Sequence, residues 1–194
     1  MDGCTRAAAR PGSLLDELMD GRWRAVRRVR LDGRWYVAMV ERRGEGLDAR
    51  RRDLVARIAA GETHQEIAYA WSVGASTVSY HANAALAWLG LLRLDLPFWG
   101  FGALHARRWG TDAGGSPRVL VASPRFSEVT LPELTPAERE VAALSLMSLD
   151  NAAIAAKRGV SVRTVANQLA GVYRKLGGSS RLDLAVAVAR RVAG

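Results

Sequence analysis

The sequence predicts a mainly α-helical protein with small β-hairpins, in which one hairpin-plus-helices unit occurs twice. Three observations support this fold class: an internal repeat, amphipathic segments that follow clear N-caps, and short apolar segments around turn residues. Shifting the chain by 87 positions places residues 47–90 on 134–177 without a gap. The coincident residues lie mostly at apolar and turn positions: Leu47/Leu134, Ala56/Ala143, Ile67/Ile154, Val73/Val160, Val78/Val165, Leu89/Leu176 and Gly90/Gly177. We therefore expect a duplication.

A predicted β-hairpin precedes each copy. Segments 23–30 and 34–42 flank Asp32-Gly33, a dipeptide that suits a tight turn because it tolerates positive φ. Segments 103–109 and 118–123 flank a looser turn at 114–117. The predicted organisation is a tail or short helix (1–21), a hairpin (22–46), a first helical unit (47–100), a second hairpin with linker (101–133) and a C-terminal helical unit (134–194).

The charge of the chain favours a polyanionic partner. The net charge is +9 with a pI near 10.9, and the C-terminal helical unit is the most basic part, whereas the first helical unit is neutral. One cysteine gives no disulfide framework, and the three histidines lack zinc-ligand spacing. No catalytic signature or membrane-spanning run is present. We expect a cytoplasmic protein that is not an enzyme and needs no cofactor or metal.

The C-terminal unit has the start and stop signals of consecutive short helices. Thr135-Pro136-Ala137-Glu138 predicts an N-cap, a proline at the first helical position and a capping box, for a helix that reaches about residue 148. Asp150 is expected to cap a helix over 151–158, and Gly159 to end it. Val160 is predicted to be the buried plug of the turn, and Ser161 the N-cap of a third helix.

The third helix has an apolar stripe and an opposite polar face. Val165, Leu169, Val172 and Leu176 recur at i, i+4, i+7 and i+11 and are predicted to pack inward. The opposite face carries Arg163, Asn167, Gln168, Arg174 and Lys175. Asn and Gln can bind adenine edges, Arg can bind guanine or phosphate, and Lys175 would hold phosphate. A solvated polar face is the alternative interpretation of this pattern.

These motifs resemble the LuxR-type (LuxR/FixJ/NarL) DNA-binding domain over nearly all of residues 134–194. The resemblance rests on LTPAEREV, the IA of the second helix, VSVRTV entering the third, KLG closing it and SSR opening a fourth. It implies a four-helix unit whose third helix, about 161–175, enters the major groove of double-stranded DNA. The chain departs from the usual family pattern at Ala166 and Gln168, which leaves its base preference open. The predicted DNA-binding residues are Ser161, Arg163, Thr164, Asn167, Gln168, Arg174, Lys175, Ser180 and Arg181.

The fourth helix, about 181–192, commonly pairs dimers in this family. Its apolar stripe (Leu182, Ala185, Val186 and Ala189) is therefore either the contact of a homodimer or core of its own unit. Two tandem units, or one unit in a dimer, would address two half-sites about one helical turn apart.

The first copy keeps the predicted core but loses cations. Val78, Ala82, Ala85 and Leu89 preserve the apolar stripe, whereas Trp71 and Trp88 replace Arg158 and Lys175. The two tryptophans are expected either at a protein contact or packed against the hairpin or Phe98-Trp99. A second set of candidate DNA-binding residues remains: Ser76, Thr77, Ser79, Tyr80, His81 and Asn83. We interpret this copy as an auxiliary DNA reader or an assembly module.

The predicted function is sequence-specific DNA binding for transcription regulation, with RNA polymerase as a candidate partner. The alternative is a protein-interaction adaptor of the transcription machinery that keeps the fold without specific DNA reading. The arginine-rich segment 24–30 is either a nucleic-acid patch or the solvated face of a strand.

Overall fold

The computed structural model describes residues 11–41, 44–111 and 117–194 and combines helices with one antiparallel sheet. The predicted turn at 114–117 lies almost entirely outside these residues. In chain order the elements are α1 (Pro11–Met19), β1 (Trp23–Leu31), β2 (Arg34–Glu41), α2 (Ala49–Ala60), α3 (His64–Trp71), α4 (Ala75–Leu89), α5 (Leu96–Gly100), β3 (His105–Thr111), β4 (Pro117–Ala122), α6 (Pro136–Leu146), α7 (Asn151–Arg158), α8 (Val162–Lys175) and α9 (Arg181–Ala193).

The two hairpins join into one four-stranded sheet with the order β1-β2-β4-β3. The sequence predicted each hairpin as a separate lead-in to its own helical unit, and the structure differs on this point. Strands β2 and β4 pair in antiparallel fashion, with Val37 opposite Val121 and both fully buried. The pairing removes one exposed edge from each hairpin and so satisfies backbone groups that would otherwise face water. The sheet is therefore shared by both halves of the chain.

The core lies between one face of this sheet and the helices. Trp35, Val37, Met39, Val119 and Val121 point from the sheet into a buried cluster that includes residues from both helical units. Helix α5 contacts α1, α2 and α9, so it connects the N-terminal and C-terminal helices. The two units consequently share a hydrophobic core.

Helices α2–α3–α4 and α6–α7–α8 have matching boundaries. The bounds of α3 coincide with those of α7 after the shift of 87 positions, and the bounds of the other two pairs agree to within one residue. The N-caps also correspond: Asp48 with Thr135, Thr63 with Asp150, and Gly74 with Ser161. Backbones with positive φ recur at the paired positions Gly61/Ser148, Ser72/Gly159 and Gly90/Gly177. The two helix triplets thus follow the same sequence of caps and turns.

The cap signals predicted for the C-terminal helices are confirmed: Thr135–Glu138 forms a capping box, and the side chains of Asp150 and Ser161 each accept a backbone N–H of their helix. The first unit has a capping box at Thr63–Glu66, and the side chain of Asp48 accepts a backbone N–H of α2. Such contacts satisfy donors that the first turn of a helix leaves unpaired.

The apolar stripe of α9 lies in the core. Leu182, Ala185, Val186 and Ala189 are all buried within the chain. Between the two interpretations of this stripe, the structure therefore favours intramolecular packing, and the four side chains are not available to a partner subunit.

A buried ion pair connects the sheet to α5. The guanidinium of Arg28 on β1 donates to both carboxylate oxygens of Asp95, at 3.1 Å from Nε and 2.8 Å from Nη2. Asp95 is fully buried and also accepts the backbone N–H of Leu92 at 3.0 Å. Burial raises the pKa of Asp95, and the hydrogen bonds and charge of Arg28 oppose that rise. Arg28 therefore serves the fold and is not part of a nucleic-acid patch.

Within the described residues, no helix has the length and hydropathy needed to cross a membrane, and no cluster of His, Cys, Asp or Glu has metal-binding geometry.

Candidate nucleic-acid interface

Helices α6, α7 and α8 form a compact unit around their own small core. Val141 from α6, Ile154 and Ala155 from α7, and Val165 and Leu169 from α8 form one buried cluster. Val172 continues the stripe into the main core, while Leu176 is half-buried. The predicted inward stripe of the third helix is thus confirmed, and it fixes which face of α8 points to solvent.

The solvent-facing side of α8 presents two cations and an amide along one line. Arg163, Asn167, Ala170 and Arg174 are spaced i, i+4, i+7 and i+11, and all four are exposed. Neither arginine forms an ion pair with any residue that the structure describes. The small Ala170 at the middle of this line allows close approach of a ligand backbone or base edge. We call these four residues the α8 face.

Gln168 is held by a neighbouring arginine. Its Oε1 accepts from Nη1 of Arg158 at 2.6 Å, and Nε of Arg158 donates to Glu140 at 3.0 Å. The Arg158 side chain is only 10% exposed, so it connects all three helices of the unit from a largely buried position. The amide N–H groups of Gln168 remain as the donors that it can offer to a base.

Lys175 is paired within the unit at the C-terminal end of α8. Its Nζ donates to Glu138 at 2.7 Å, and the same carboxylate accepts the backbone N–H of Thr135 as part of the capping box. The hydrogen bond from Lys175 and that from the Thr135 backbone lower the pKa of Glu138 to about 2. Lys175 retains two further N–H donors, so this ion pair does not prevent a phosphate contact.

The other predicted contacts of the C-terminal unit have structural roles. The hydroxyls of Ser161 and Ser180 cap α8 and α9, and Thr164 Oγ1 lies 2.8 Å from Ser161 Oγ. Arg181 donates to the backbone carbonyl of Leu149 and, at 2.6 Å, to Oδ1 of Asn151. Of these four residues, Ser161 and Thr164 are exposed, while Ser180 and Arg181 are partly buried.

The prediction that Val160 is buried is wrong. Val160 is 36% exposed and Val162 is 50% exposed, so two aliphatic side chains flank Ser161 at the start of α8. The reason is that Ile154, Ala155 and Val165 already fill the space beneath the turn. Apolar groups at the start of a groove-binding helix can contact the methyl group of thymine. Val162 was not among the predicted contacts, although its position beside the N-cap is a signal for such a contact.

In the first unit some of the candidate residues are exposed, and others form contacts within the chain. Ser76, Thr77 and Asn83 are exposed, and Tyr80 is 71% exposed. Ser79 Oγ lies 2.8 Å from Nδ1 of His64, and the half-buried ring of His81 packs edge-on against Tyr80. The positions that match the α8 face are Ser76, Tyr80, Asn83 and Ala87, which carry no cation.

The two tryptophans of the first unit have different surroundings. Trp71 donates from Nε1 to Asp53 at 3.2 Å, and the guanidinium of Arg50 lies 5.0 Å from its ring centroid. This contact occupies the place that Arg158–Glu140 has in the C-terminal unit. Trp71 thus packs on its own unit, through α2 rather than through the hairpin or Phe98-Trp99. Trp88 is 42% exposed and lines a cavity of about 370 Å³ with Trp23 and Arg24.

The geometry of α6–α7–α8, with capped short helices and an exposed third helix, defines a helix-turn-helix domain. Residues 132–188 match the family model described as bacterial regulatory proteins, luxR family. This segment is therefore similar to the luxR-family domain, a domain of bacterial regulatory proteins. No curated protein and no solved structure matches the chain.

Proposed function

We propose that the protein regulates transcription by sequence-specific binding to double-stranded DNA, with α8 in the major groove. The observation that carries this proposal is the α8 face, where Arg163, Asn167 and Arg174 are exposed at helical spacing around the small Ala170. Asn167 has the donor and acceptor that adenine requires, and the arginines suit guanine or phosphate. The luxR-family match of residues 132–188 agrees with this assignment.

Base contacts and backbone contacts are assigned to different residues. Asn167, and the amide N–H groups of Gln168, supply base recognition, with Val162 as an apolar contact. Arg163, Arg174 and Lys175 contribute charge that neutralises phosphates. We leave Arg181 out of the set, because its guanidinium already holds the α6–α7 turn.

We further propose that α2–α3–α4 is a second, divergent copy of the same unit. Its support is the agreement of helix bounds, caps and positive-φ positions with α6–α7–α8. Because its counterpart of the α8 face has no cation, it would contribute little non-specific affinity. An auxiliary role, in which Tyr80 and Asn83 contact DNA beside the main site, fits this surface.

A protein-interaction role for the first copy is the second candidate. Tyr69 is 90% exposed and Tyr80 is 71% exposed, and aromatic residues are enriched at the centres of protein interfaces. RNA polymerase is the partner that this role would suit in a transcription regulator. We do not propose a homodimer through the α9 stripe, because those side chains are buried.

The test begins with selection of a preferred duplex by the full chain from a random pool. The full chain is needed because both units share one core. On the selected duplex, Asn167→Ala should lose about 1–3 kcal/mol of discrimination at one base position. Arg174→Gln should instead weaken binding of the protein to selected and unrelated duplexes equally. Arg190→Gln, which removes the same charge from α9, is the matched control.

One outcome would count against the assignment of α8, and a second comparison decides between the two roles considered for the first copy. Equal losses on all sequences for Asn167→Ala would remove its assignment as a base contact. A selected site that shortens with Tyr80→Ala and Asn83→Ala would make the first copy a DNA reader, whereas an unchanged site would favour the protein-interaction role.

A further inference from the structure

The face of the sheet that points away from the core carries a row of arginines. Antiparallel partners point to the same face of a sheet, so the register identifies its members. Arg27 lies opposite Ala38, Ala38 opposite Leu120, and Leu120 opposite Arg107, which makes one continuous row across all four strands. Arg27 and Arg107 therefore stand at the two edges of this row, about 14 Å apart, with apolar side chains between them.

Neighbouring rows add further cations to this face. Arg24 lies opposite Val40, which lies opposite Arg118. The irregularity between Ala25 and Arg27 places Arg24 and Arg27 on the same face although they are three residues apart, as a β-bulge does. We define the outer arginine face as Arg24, Arg27, Arg107 and Arg118, with His105 beside them.

No acidic side chain balances these charges within the described strand residues. The one carboxylate there is Glu41, which lies in register with the buried Trp23 on the opposite face and accepts from Arg22. None of the four arginines forms an ion pair with a residue that the structure describes, whereas Arg22 and Arg28 on neighbouring positions do. Arg24, Arg27 and Arg107 are exposed, and Arg118 is half-buried.

The chemistry of this face selects the kind of partner. A second copy of the chain would bring arginines against arginines in a symmetric contact, which like-charge repulsion opposes. Guanidinium groups are planar donors that match phosphate oxygens in bidentate geometry. The apolar side chains of Ala38 and Leu120, between the arginines, offer no competing polar group to a nucleic-acid backbone that lies across the strands.

We propose that the outer arginine face is a second nucleic-acid binding surface, separate from α8, which holds the phosphate backbone without regard to sequence. It would let the protein hold a flanking or separate nucleic-acid segment while α8 is bound at its site. The proposal does not rest on base recognition by α8.

The test uses the full chain with Arg163→Gln and Arg174→Gln, so that the α8 face contributes little charge. In this background we make two double variants. The sheet pair combines Arg27→Gln and Arg107→Gln, and the control pair combines Arg50→Gln and Arg51→Gln, which removes the same charge from α2. Labelled duplex DNA of arbitrary sequence, the matching single strand and the matching RNA are titrated at several salt concentrations by fluorescence anisotropy.

Loss of two phosphate contacts should reduce the slope of log K against log salt by about 1.8 for duplex and about 1.4 for single strands. At 0.1 M salt the duplex change corresponds to about sixty-fold weaker binding. The nucleic acid that shows the reduction identifies the form that binds. Arg24→Gln with Arg107→Gln should give the same reduction, which guards against a folding defect peculiar to one variant.

Equal slopes for the sheet pair and the control pair would overturn the proposal. A sheet pair that loses binding to poly-glutamate but keeps binding to all three nucleic acids would also overturn it, and would assign the face to an acidic protein. Either result would leave the assignment of α8 intact, because the background already lacks its arginines.

Discussion

Replacing Arg28 by Leu tests whether the sheet and the helices depend on one buried ion pair. Arg28 supplies two hydrogen bonds to Asp95, whose carboxylate is fully buried. Breaking a buried pair by removing one partner leaves an uncompensated charge and costs about 3–5 kcal/mol. For a protein of this size each kcal/mol lowers Tm by about 2–4 °C, so we expect a loss of roughly 10 °C.

The pH dependence of this variant has a definite sign. Burial raises the pKa of Asp95, and Arg28 is the group that opposes the rise. Without Arg28 the folded-state pKa lies further above the unfolded value, so protonation favours the folded state. The destabilisation of Arg28→Leu should therefore be smallest in acid and should grow as the pH rises through the folded pKa.

Thermal and urea unfolding at several pH values provide the measurement. Arg27→Leu is the matched control, since Arg27 is exposed one position away and should change stability by less than about 0.5 kcal/mol. Adding Asp95→Asn to Arg28→Leu should recover much of the loss, because no buried charge is left. Equal stability of Arg28→Leu and Arg27→Leu at neutral pH would show that the Arg28–Asp95 ion pair does not stabilise the fold.

Three further variants test the C-terminal unit. Arg158→Met should release Gln168 and lower stability by about 2 kcal/mol, measured by urea unfolding. Glu138→Gln should cost about 1 kcal/mol near pH 7, and, because the pKa of Glu138 is lowered to about 2, this cost should disappear as the pH falls from about 4.5 towards 2. Arg181→Met should lower Tm through the lost α6–α7 contacts, yet leave the salt dependence of DNA binding unchanged.

The parts of the fold that depend on neighbouring residues were predictable from the sequence. Caps such as Thr135 and Ser161 act within one helical turn, so their residue types identify helix starts directly. The inward stripe from Val165 to Val172 follows from helical periodicity alone. These local rules sufficed to place α8 and its exposed face.

The parts that depend on distant residues were not predictable. Pairing of β2 with β4 brings Val37 against Val121, and no pattern in either strand names its partner. The same holds for Arg28 with Asp95, which lie 67 residues apart. The exposure of Val160 depends on how much space Ile154 and its neighbours fill, which is a property of the packed unit. Sequence motifs indicated the candidate site, and tertiary packing decided which of its side chains are exposed.

A photo-cross-linking residue placed at Ala170 tests whether α8 lies in the major groove of DNA. Ala170 lies between Asn167 and Arg174 on the α8 face, and the control position is Ala60, which is exposed at the end of α2. With the selected duplex, we predict cross-links from position 170 to bases of the site and none from position 60. Protein that binds this duplex but cross-links no better from position 170 than from position 60 would contradict the claim that α8 lies in the major groove.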